Sequence, residues 1–174
     1  MKKLITVLTV LLCCICSLGC AEEMKLYRNK EWKFRIEIPA DWEYKTPKSP
    51  NTILVARNEQ GHGVVITAYP EPEFNNPTRE DWEKYIMPTI NLEGMNIINV
   101  YFAPINSHTA LLVEGTKYYK YPTTQFQQYH NNAIVITNHK YYNILYGCNP
   151  HDAQKCVSTF LKSLGTFVDE TNFY

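Results

Sequence analysis

The chain has 174 residues, of which 45% are hydrophobic and 20% are charged, and its formal net charge is zero. This length predicts one domain with a hydrophobic core, and the composition excludes a disordered chain. A nucleic-acid-binding or polybasic membrane-surface protein would carry an excess of lysine and arginine, so the neutral charge argues against both classes.

The first residues follow the order of a bacterial export signal. Lys2 and Lys3 precede an apolar run over residues 4–15, and small residues come next. That run is too short to be a comfortable membrane-spanning helix. We therefore predict a signal peptide over residues 1–19 and an exported protein.

Four of the six cysteines lie within eight residues at the end of this signal. The segment from residue 17 to Cys20 resembles the lipobox of bacterial lipoproteins, which implies cleavage before Cys20 and a diacylglycerol on its thiol. Ordinary cleavage after Gly19 or Ala21 is the alternative. The other three cysteines behave as small hydrophobes in the discarded signal and do not have the spacing of a zinc site: Cys13, Cys14 and Cys16.

A polar tether is predicted over residues 20–26, and the first strand follows at residues 33–38. Polar and apolar residues alternate there, which places Phe34, Ile36 and Ile38 inward.

Residues 52–57 and 64–69 are β-branched apolar runs, and the glycine-containing segment between them predicts a hairpin. A helix is then predicted to begin at Thr78 and to end near Pro88. Its inward residues recur at helical spacing: Trp82, Tyr85, Ile86 and Ile90.

Four more strands are predicted, over residues 97–102, 110–119, 126–137 and 141–147. If residues 138–140 form the last hairpin loop, counting outward gives these partners: Thr137 with Tyr141, Ile134 with Ile144, and His130 with Cys148.

Asn149 and Pro150 predict the start of a terminal helix, with Asn149 as its cap and Gly165 at its end. Its apolar stripe is Ala153, Cys156, Val157, Phe160, Leu161 and Leu164. Hairpins predominate over βαβ units, so the predicted fold class is α+β, with an antiparallel sheet of about six to seven strands flanked by helices.

Two parts of the sequence resemble the PsbP-like superfamily. Residues 32–42 (WKFRIEIPADW) resemble its opening strand, and residues 142–146, a helix and residues 161–167 (LKSLGTF) resemble its closing elements. The resemblance implies an α/β/α sandwich over residues 27–168, followed by a tail over residues 169–174. The superfamily includes an extrinsic subunit of photosystem II, a nuclear import factor that binds Ran, and exported bacterial lipoproteins. Its better understood members bind partners and do not catalyse.

Cys148 and Cys156 remain in the mature domain, and an exported compartment permits a disulfide between them. Two buried thiols are the alternative. A sharper possibility is a small hydrolase with Cys148 as nucleophile and His130 as its base. His151 and Asp152 lie nearby in the sequence, but as neighbours on a helix they point apart.

An aromatic cluster surrounds a predicted hairpin tip, and it consists of Tyr118, Tyr119, Tyr121, Phe126 and Tyr129. If these rings are exposed, they form a contact surface for a protein or a glycan, and if they are packed, they end the core. The five histidines lack metal-site spacing and are expected at the surface, so we predict neither a metal nor a cofactor.

The sequence thus predicts an exported protein of the cell envelope with a non-catalytic binding or accessory role. Its expected partners are a membrane, reached through the lipid on Cys20, and an unknown envelope protein or small ligand, but no nucleic acid. The hydrolase and a purely structural envelope component are the alternatives.

Overall fold

The computed structural model describes residues 22–90 and 92–171, and most of these lie in strands. The strands are β1 Met24–Asn29, β2 Phe34–Pro39, β3 Glu43–Tyr44, β4 Thr52–Arg57, β5 Gly63–Pro70, β6 Met95–Ile105, β7 His108–Lys120, β8 Gln125–Thr137, β9 Lys140–Cys148 and β10 Val168–Asp169. A seven-stranded sheet has the order β3-β4-β5-β9-β8-β7-β6, and a three-stranded sheet has the order β1-β2-β10. Every strand pair is antiparallel.

Two helical regions flank the large sheet. The first is the one-turn helix α1, Arg79–Asp81, which continues into a π-helical turn, Trp82–Ile86, and a 3-10 turn, Met87–Thr89. We call the three together the first helical segment. The second region is α2, Ala153–Gly165, after a 3-10 turn, Pro150–Asp152. The predicted α+β class, an antiparallel sheet flanked by helices, is confirmed.

The large sheet packs differently on its two faces. Its inner face packs on α2 and the small sheet, and the predicted inward residues of β2, Phe34, Ile36 and Ile38, are fully buried in that core. Its outer face packs under the first helical segment, where Trp82 and Ile86 are buried against β7 and β8. Strand β8 is buried on both faces, which makes it the centre of the molecule.

The first helical segment begins at Thr78, as predicted. The Thr78 hydroxyl accepts a hydrogen bond from the Asp81 amide at 3.2 Å, and the Asp81 carboxylate accepts one from the Thr78 amide at 2.8 Å. The prediction that Tyr85 lies inward is wrong, because its side chain is 51% exposed. The wider π-helical turn changes the angular spacing that the prediction assumed.

Ordered structure extends beyond the predicted domain limits at both ends. Residues 24–26, predicted as tether, pair with β2, and the Glu22 carboxylate accepts a hydrogen bond from the Thr159 hydroxyl at 2.7 Å. Asp169, predicted as the start of a tail, pairs with Phe34. Both added strands are short or charged and lack apolar alternation, so their pairing depends on β2 rather than on a local pattern.

Helix α2 starts later than predicted. The Asn149 side chain makes no capping hydrogen bond and instead donates to the Gln60 carbonyl at 3.4 Å. Cys156, Phe160 and Leu164 are buried as the stripe requires, but Leu161 is 47% exposed. The buried stripe is therefore narrower than the sequence pattern indicated.

The β8–β9 hairpin corrects the predicted register by one residue. Its loop has two residues, Asn138 and His139, both in the left-handed region with φ of 49° and 57°. This is the backbone of a type I′ turn, whose twist matches the twist of the strands. Thr137 therefore pairs with Lys140 rather than with Tyr141.

The corrected register separates two candidate site residues. Ile134 pairs with Asn143, His130 pairs with Gly147, and Cys148 lies opposite Tyr129. Side chains alternate between faces, so a slip of one residue moves a side chain to the other side of the sheet. His130 consequently lies on the outer face and Cys148 on the inner face.

Replacing His139 with glycine should raise the free energy of unfolding by about 1 kcal/mol, because left-handed backbone is costly for a side chain other than glycine or asparagine. Urea denaturation at neutral pH measures this change. Lys48→Gly, in an exposed bend, is the control and should be neutral or slightly destabilising. A loss of stability in His139→Gly would contradict the prediction.

Candidate functional site

Three aromatic rings form a cluster at the tip of the β7–β8 hairpin. The ring centroids of Tyr119, Phe126 and Tyr121 are 5.3, 6.1 and 6.5 Å apart, and the ring planes differ by 4° to 23°. A column of three stacked rings would place its outer members farther apart than this, so the centroids form a triangle in which each ring contacts the other two. We call these three residues the aromatic plate.

The alternation of two long strands builds this plate. Tyr119 lies directly opposite Phe126 in the β7–β8 register, and Tyr121 follows two residues after Tyr119 on the same side. The Tyr121 amide donates to the Thr124 carbonyl at 2.7 Å, which closes the tip. Tyr121 is 54% exposed and Phe126 is 43% exposed, so two of the three rings present apolar surface to water.

A groove of about 210 Å³ adjoins the plate on the outer face. Tyr119 borders both, and the groove continues across the ends of four strands. The polar side chains in its lining are Arg57, Tyr119, Gln128 and His130. At Gly147 a Cβ atom would come within 2.8 Å of the Gln128 amide nitrogen, so glycine is what lets that amide lie across β9.

The groove can donate hydrogen bonds and carries positive charge. His130 is 5% exposed, and its Nε2 lies 3.3 Å from the Tyr119 hydroxyl. Burial, helped by the nearby Lys117 ammonium, lowers the pKa of His130 to about 4, so its imidazole is neutral at physiological pH. Among the described lining residues Arg57 is the charged one, and no carboxylate is present.

The predicted aromatic cluster divides between the two faces. Tyr119, Tyr121 and Phe126 form the plate, whereas Tyr118 lies on the other side of β7 and is 57% exposed. Tyr129 is buried on the inner face, where its hydroxyl donates to the Glu114 carboxylate at 2.5 Å. Burial and this hydrogen bond raise the pKa of Tyr129. The rings at the hairpin tip are therefore exposed, as a contact surface requires, whereas Tyr129 is packed into the core.

Cys148 and Cys156 are both buried, and both are free thiols in this structure. The two thiols are hydrogen-bonded to each other, and the Asn131 amide lies 3.7 Å from the Cys156 sulfur. The hydrogen bond with Cys156, together with burial, raises the pKa of Cys148. Strand β9 and helix α2 thus bring the pair together, and a disulfide between them stays a prediction.

The catalytic pair considered from the sequence is not assembled. His130 and Cys148 lie on opposite faces of the sheet, because the predicted pairing of these two residues is wrong by one position. A buried thiol with a raised pKa also supplies little thiolate. The residue opposite Cys148 is Tyr129, which cannot serve as an imidazole base.

The expectation of surface histidines is wrong for two of the five. His130 is buried in the groove wall, and His62 is 8% exposed with its Nε2 2.9 Å from the Asp152 carboxylate. The sequence separates His62 and Asp152 by 90 residues, so no local signal could pair them. His151, beside Asp152, is exposed.

The groove residues that sequence reasoning missed are Arg57, Gln128 and Gly147. Alternation along β8 could have placed Gln128 between Phe126 and His130 on one face. Arg57 on β4 and Gly147 on β9 reach the groove only because of the order of the strands in the sheet, and the pattern of apolar residues does not predict that order. Cys20, the predicted lipid site, lies outside the described residues.

Within residues 22–90 and 92–171, no three histidine, cysteine, aspartate or glutamate side chains are placed to share a metal ion. In this same part of the chain, no helix is both long and apolar enough to cross a membrane.

The buried imidazole should make stability depend on pH. Above about pH 6.5 His130 is neutral in both the folded and the unfolded chain; between about 6.5 and 4 only the unfolded chain binds the proton. As the pH is lowered from about 6.5 to about 4, the free energy of unfolding should therefore fall, and His130 accounts for up to about 3 kcal/mol of this loss. Below about pH 4 His130 should cause no further loss.

Urea denaturation at about pH 7 and about pH 4.5 tests this, with His130→Gln losing less stability than the unmodified protein between the two conditions. His151→Gln, at an exposed histidine, is the matched control and should behave like the unmodified protein. Equal losses in all three proteins would show that His130 titrates normally.

Comparison with known proteins finds similarity at the level of structure. No known family model and no curated protein sequence matches the chain. The solution structure of cyanobacterial PsbP (CyanoP) from Synechocystis sp. PCC 6803 is similar with a TM-score of 0.61 and 13% identity, over 88% of this chain and 96% of that one.

Two further solved structures are similar to this chain. The Ran-binding protein Mog1p of Saccharomyces cerevisiae gives a TM-score of 0.57 and 9% identity, over 88% of this chain and 98% of that one. A protein from Bacteroides thetaiotaomicron VPI-5482 gives 0.55 and 10%, over 86% of this chain and 50% of that one. The strand order, the flanking helices and these likenesses together establish that the chain has the PsbP-like α+β fold.

Proposed function

We propose that this is an exported protein, anchored to a membrane by a lipid on Cys20, which binds a partner in the cell envelope and does not catalyse. The observation that carries the proposal is the aromatic plate beside a hydrogen-bonding groove. The plate and the groove together are the proposed binding surface.

The energetics favour binding at this surface. Burying an aromatic side chain such as Tyr121 or Phe126 contributes roughly 1.5–3 kcal/mol relative to leaving it exposed. Tyrosine also loses little conformational entropy on binding and keeps a polar tip for a hydrogen bond. Exposed apolar rings that cluster on a hairpin tip therefore gain most when a partner covers them.

The groove limits the chemistry of that partner. Arg57 supplies a permanent positive charge, and Gln128 with the Tyr119 hydroxyl supplies neutral hydrogen-bonding groups. A group that fits there carries hydroxyls, carbonyls or a negative charge, and its flat apolar side faces the plate. Such a group can belong to a protein segment or to a glycan.

A non-catalytic role agrees with the surrounding chemistry. The two thiols are buried on the inner face, away from the groove, and His130 contacts the weakly acidic Tyr119 hydroxyl. Mog1p, which shares the fold, is a Ran-binding protein, and this supports a binding role for the present chain without identifying its partner.

The position of the N-terminal residues supports the anchor. Lys162 donates to the Glu22 carbonyl at 2.8 Å, and Thr159 donates to the Glu22 carboxylate, so this residue lies on α2. Cys20 is two residues away, at most about 7 Å of extended chain. A lipid on Cys20 would hold the α2 layer next to the membrane, with the plate on the opposite face of the sheet directed away from it.

The anchor is tested by replacing Cys20 with alanine in the full-length chain. We expect the protein to move from the membrane fraction to the soluble exported fraction, because a cleaved chain without the acylated thiol has no lipid. Immunoblotting of fractionated cells measures this shift. Cys156→Ala is the control and should stay with the membrane. A Cys20→Ala protein that remains in the membrane fraction would contradict the proposal.

The binding surface is tested by photo-cross-linking in intact cells. A benzophenone amino acid at Thr124, an exposed position at the hairpin tip beside Tyr121, should give a discrete adduct. Phe126→Ala should reduce its yield about tenfold or more, since losing a buried ring costs more than 1.4 kcal/mol. The same probe at Tyr85, an exposed ring elsewhere, should give no such adduct.

Protease and glycosidase treatment of the adduct separates a protein partner from a glycan. Equal adduct yields at Thr124 and Tyr85, or yields unaffected by Phe126→Ala, would place the binding surface elsewhere. They would also favour the purely structural role.

A further inference from the structure

Strand β6 forms an unusually open edge of the large sheet. It has eleven residues, and among the strands of residues 22–90 and 92–171 it pairs only with β7. Four large apolar side chains are well exposed along it, at 44%, 56%, 37% and 37%: Ile97, Ile98, Val100 and Tyr101. Unpaired backbone groups and apolar side chains are therefore presented together.

The strand also lacks the charges that usually protect such an edge. Lysine or another charge on an edge strand opposes pairing with a second molecule, yet Met95–Ile105 contains no charged residue. Arg79 lies over the Phe102 ring with its guanidinium 5.3 Å from the ring centre, but it is ion-paired with Glu83 at 2.8 Å. The Arg79 charge is thus balanced.

The other edges cannot accept β6. The opposite edge of the large sheet, β3, has only two residues, with the Glu43–Lys45 ion pair beside it. In the small sheet, β10 also has two residues, and β1 carries Lys25 and Arg28. A long uncharged strand is matched best by another copy of itself.

We propose that two copies of this chain pair through β6 in an antiparallel manner, which joins their large sheets into one. A strand that pairs with itself forms a closed two-fold interface and not a fibre. The two-fold axis is perpendicular to the joined sheet, so both outer faces point the same way and both α2 layers lie on the opposite side.

Two features determine the register of this interface. The β6–β7 pairing is irregular between Ile97 and Asn99, which bends the edge there, and Pro104 has no amide to donate. The straight part is residues 99–103, and its centre is Tyr101. In the dimer Tyr101 lies opposite Tyr101 of the second copy, and Val100 lies opposite Phe102 of the second copy.

Light scattering and sedimentation of the purified full-length protein over a range of concentrations test the proposal. The unmodified protein should reach the mass of a dimer. Tyr101→Lys should raise the dissociation constant at least about tenfold, because like charges would lie directly opposite each other at the axis. Tyr101→Glu should do the same, and an equimolar mixture of the two variants should recover the dimer.

Tyr118→Lys, at an exposed tyrosine far along β7, is the control and should leave the dimer unchanged. Circular dichroism shows whether each variant is folded, and Asn99→Lys, at another exposed position on the same edge, is the second variant. A monomeric unmodified protein at every concentration would overturn the proposal, as would folded Tyr101→Lys and Asn99→Lys proteins that still dimerise.

Cysteine cross-linking tests the register. Tyr101→Cys places two thiols opposite each other, with Cα atoms about 4.5–5.5 Å apart, and should form an intermolecular disulfide. Val100→Cys faces Phe102 of the second copy and should cross-link less. Equal cross-linking by both, or by neither, would contradict this register. These results do not depend on the lipid on Cys20 or on the aromatic plate.

Discussion

The pairing of β8 with β9 is the constraint on which most of the structure depends. Nine consecutive residues of β8, from Tyr129 to Thr137, are buried, so both faces of this strand are committed to packing. The two-residue turn at Asn138 and His139 determines which side chains enter which core. A shift of one residue would exchange the two faces, and each core would receive the side chains that now pack in the other.

The assignment of each side chain to one face explains why the cysteines and His130 lie on opposite sides of the sheet. The thiols of Cys148 and Cys156 meet on the inner face under α2, where the hydrogen bond with Cys156 and burial raise the pKa of Cys148. His130 lies on the outer face, beside the Tyr119 hydroxyl, where the groove is open. The same alternation that removes a Cys/His catalytic pair therefore places a neutral imidazole in the wall of the groove.

The outer face is open because the first helical segment is short. One α-helical turn, a π-helical turn and a 3-10 turn cover β7 and part of β8, and Pro88 lies in the last turn. The other end of the outer face, with the plate and groove, is not covered by this segment.

On the opposite side α2 and the small sheet complete the inner core, and Glu22 connects the N-terminal residues to that layer. The proposed lipid anchor and the proposed binding surface therefore lie on opposite layers, and β6 lies at one edge of the sheet between them.

The sequence by itself determined the elements and their class. Alternation predicted β2 and the hairpin of β4 and β5, and the Thr78 capping box predicted the helix start, because these signals arise between neighbouring residues. The predicted export signal is also a local pattern of neighbouring residues. The one-residue error at Asn138 arose because a pattern of apolar residues does not distinguish a two-residue from a three-residue turn.

Only the tertiary structure decided the strand order that brings Arg57 to His130 and leaves β6 at an edge. It also decided the contact between Cys148 and Cys156 and the exposure of Tyr121 and Phe126. These depend on contacts between residues far apart in the chain, and such contacts are selected by the packing of the whole sheet.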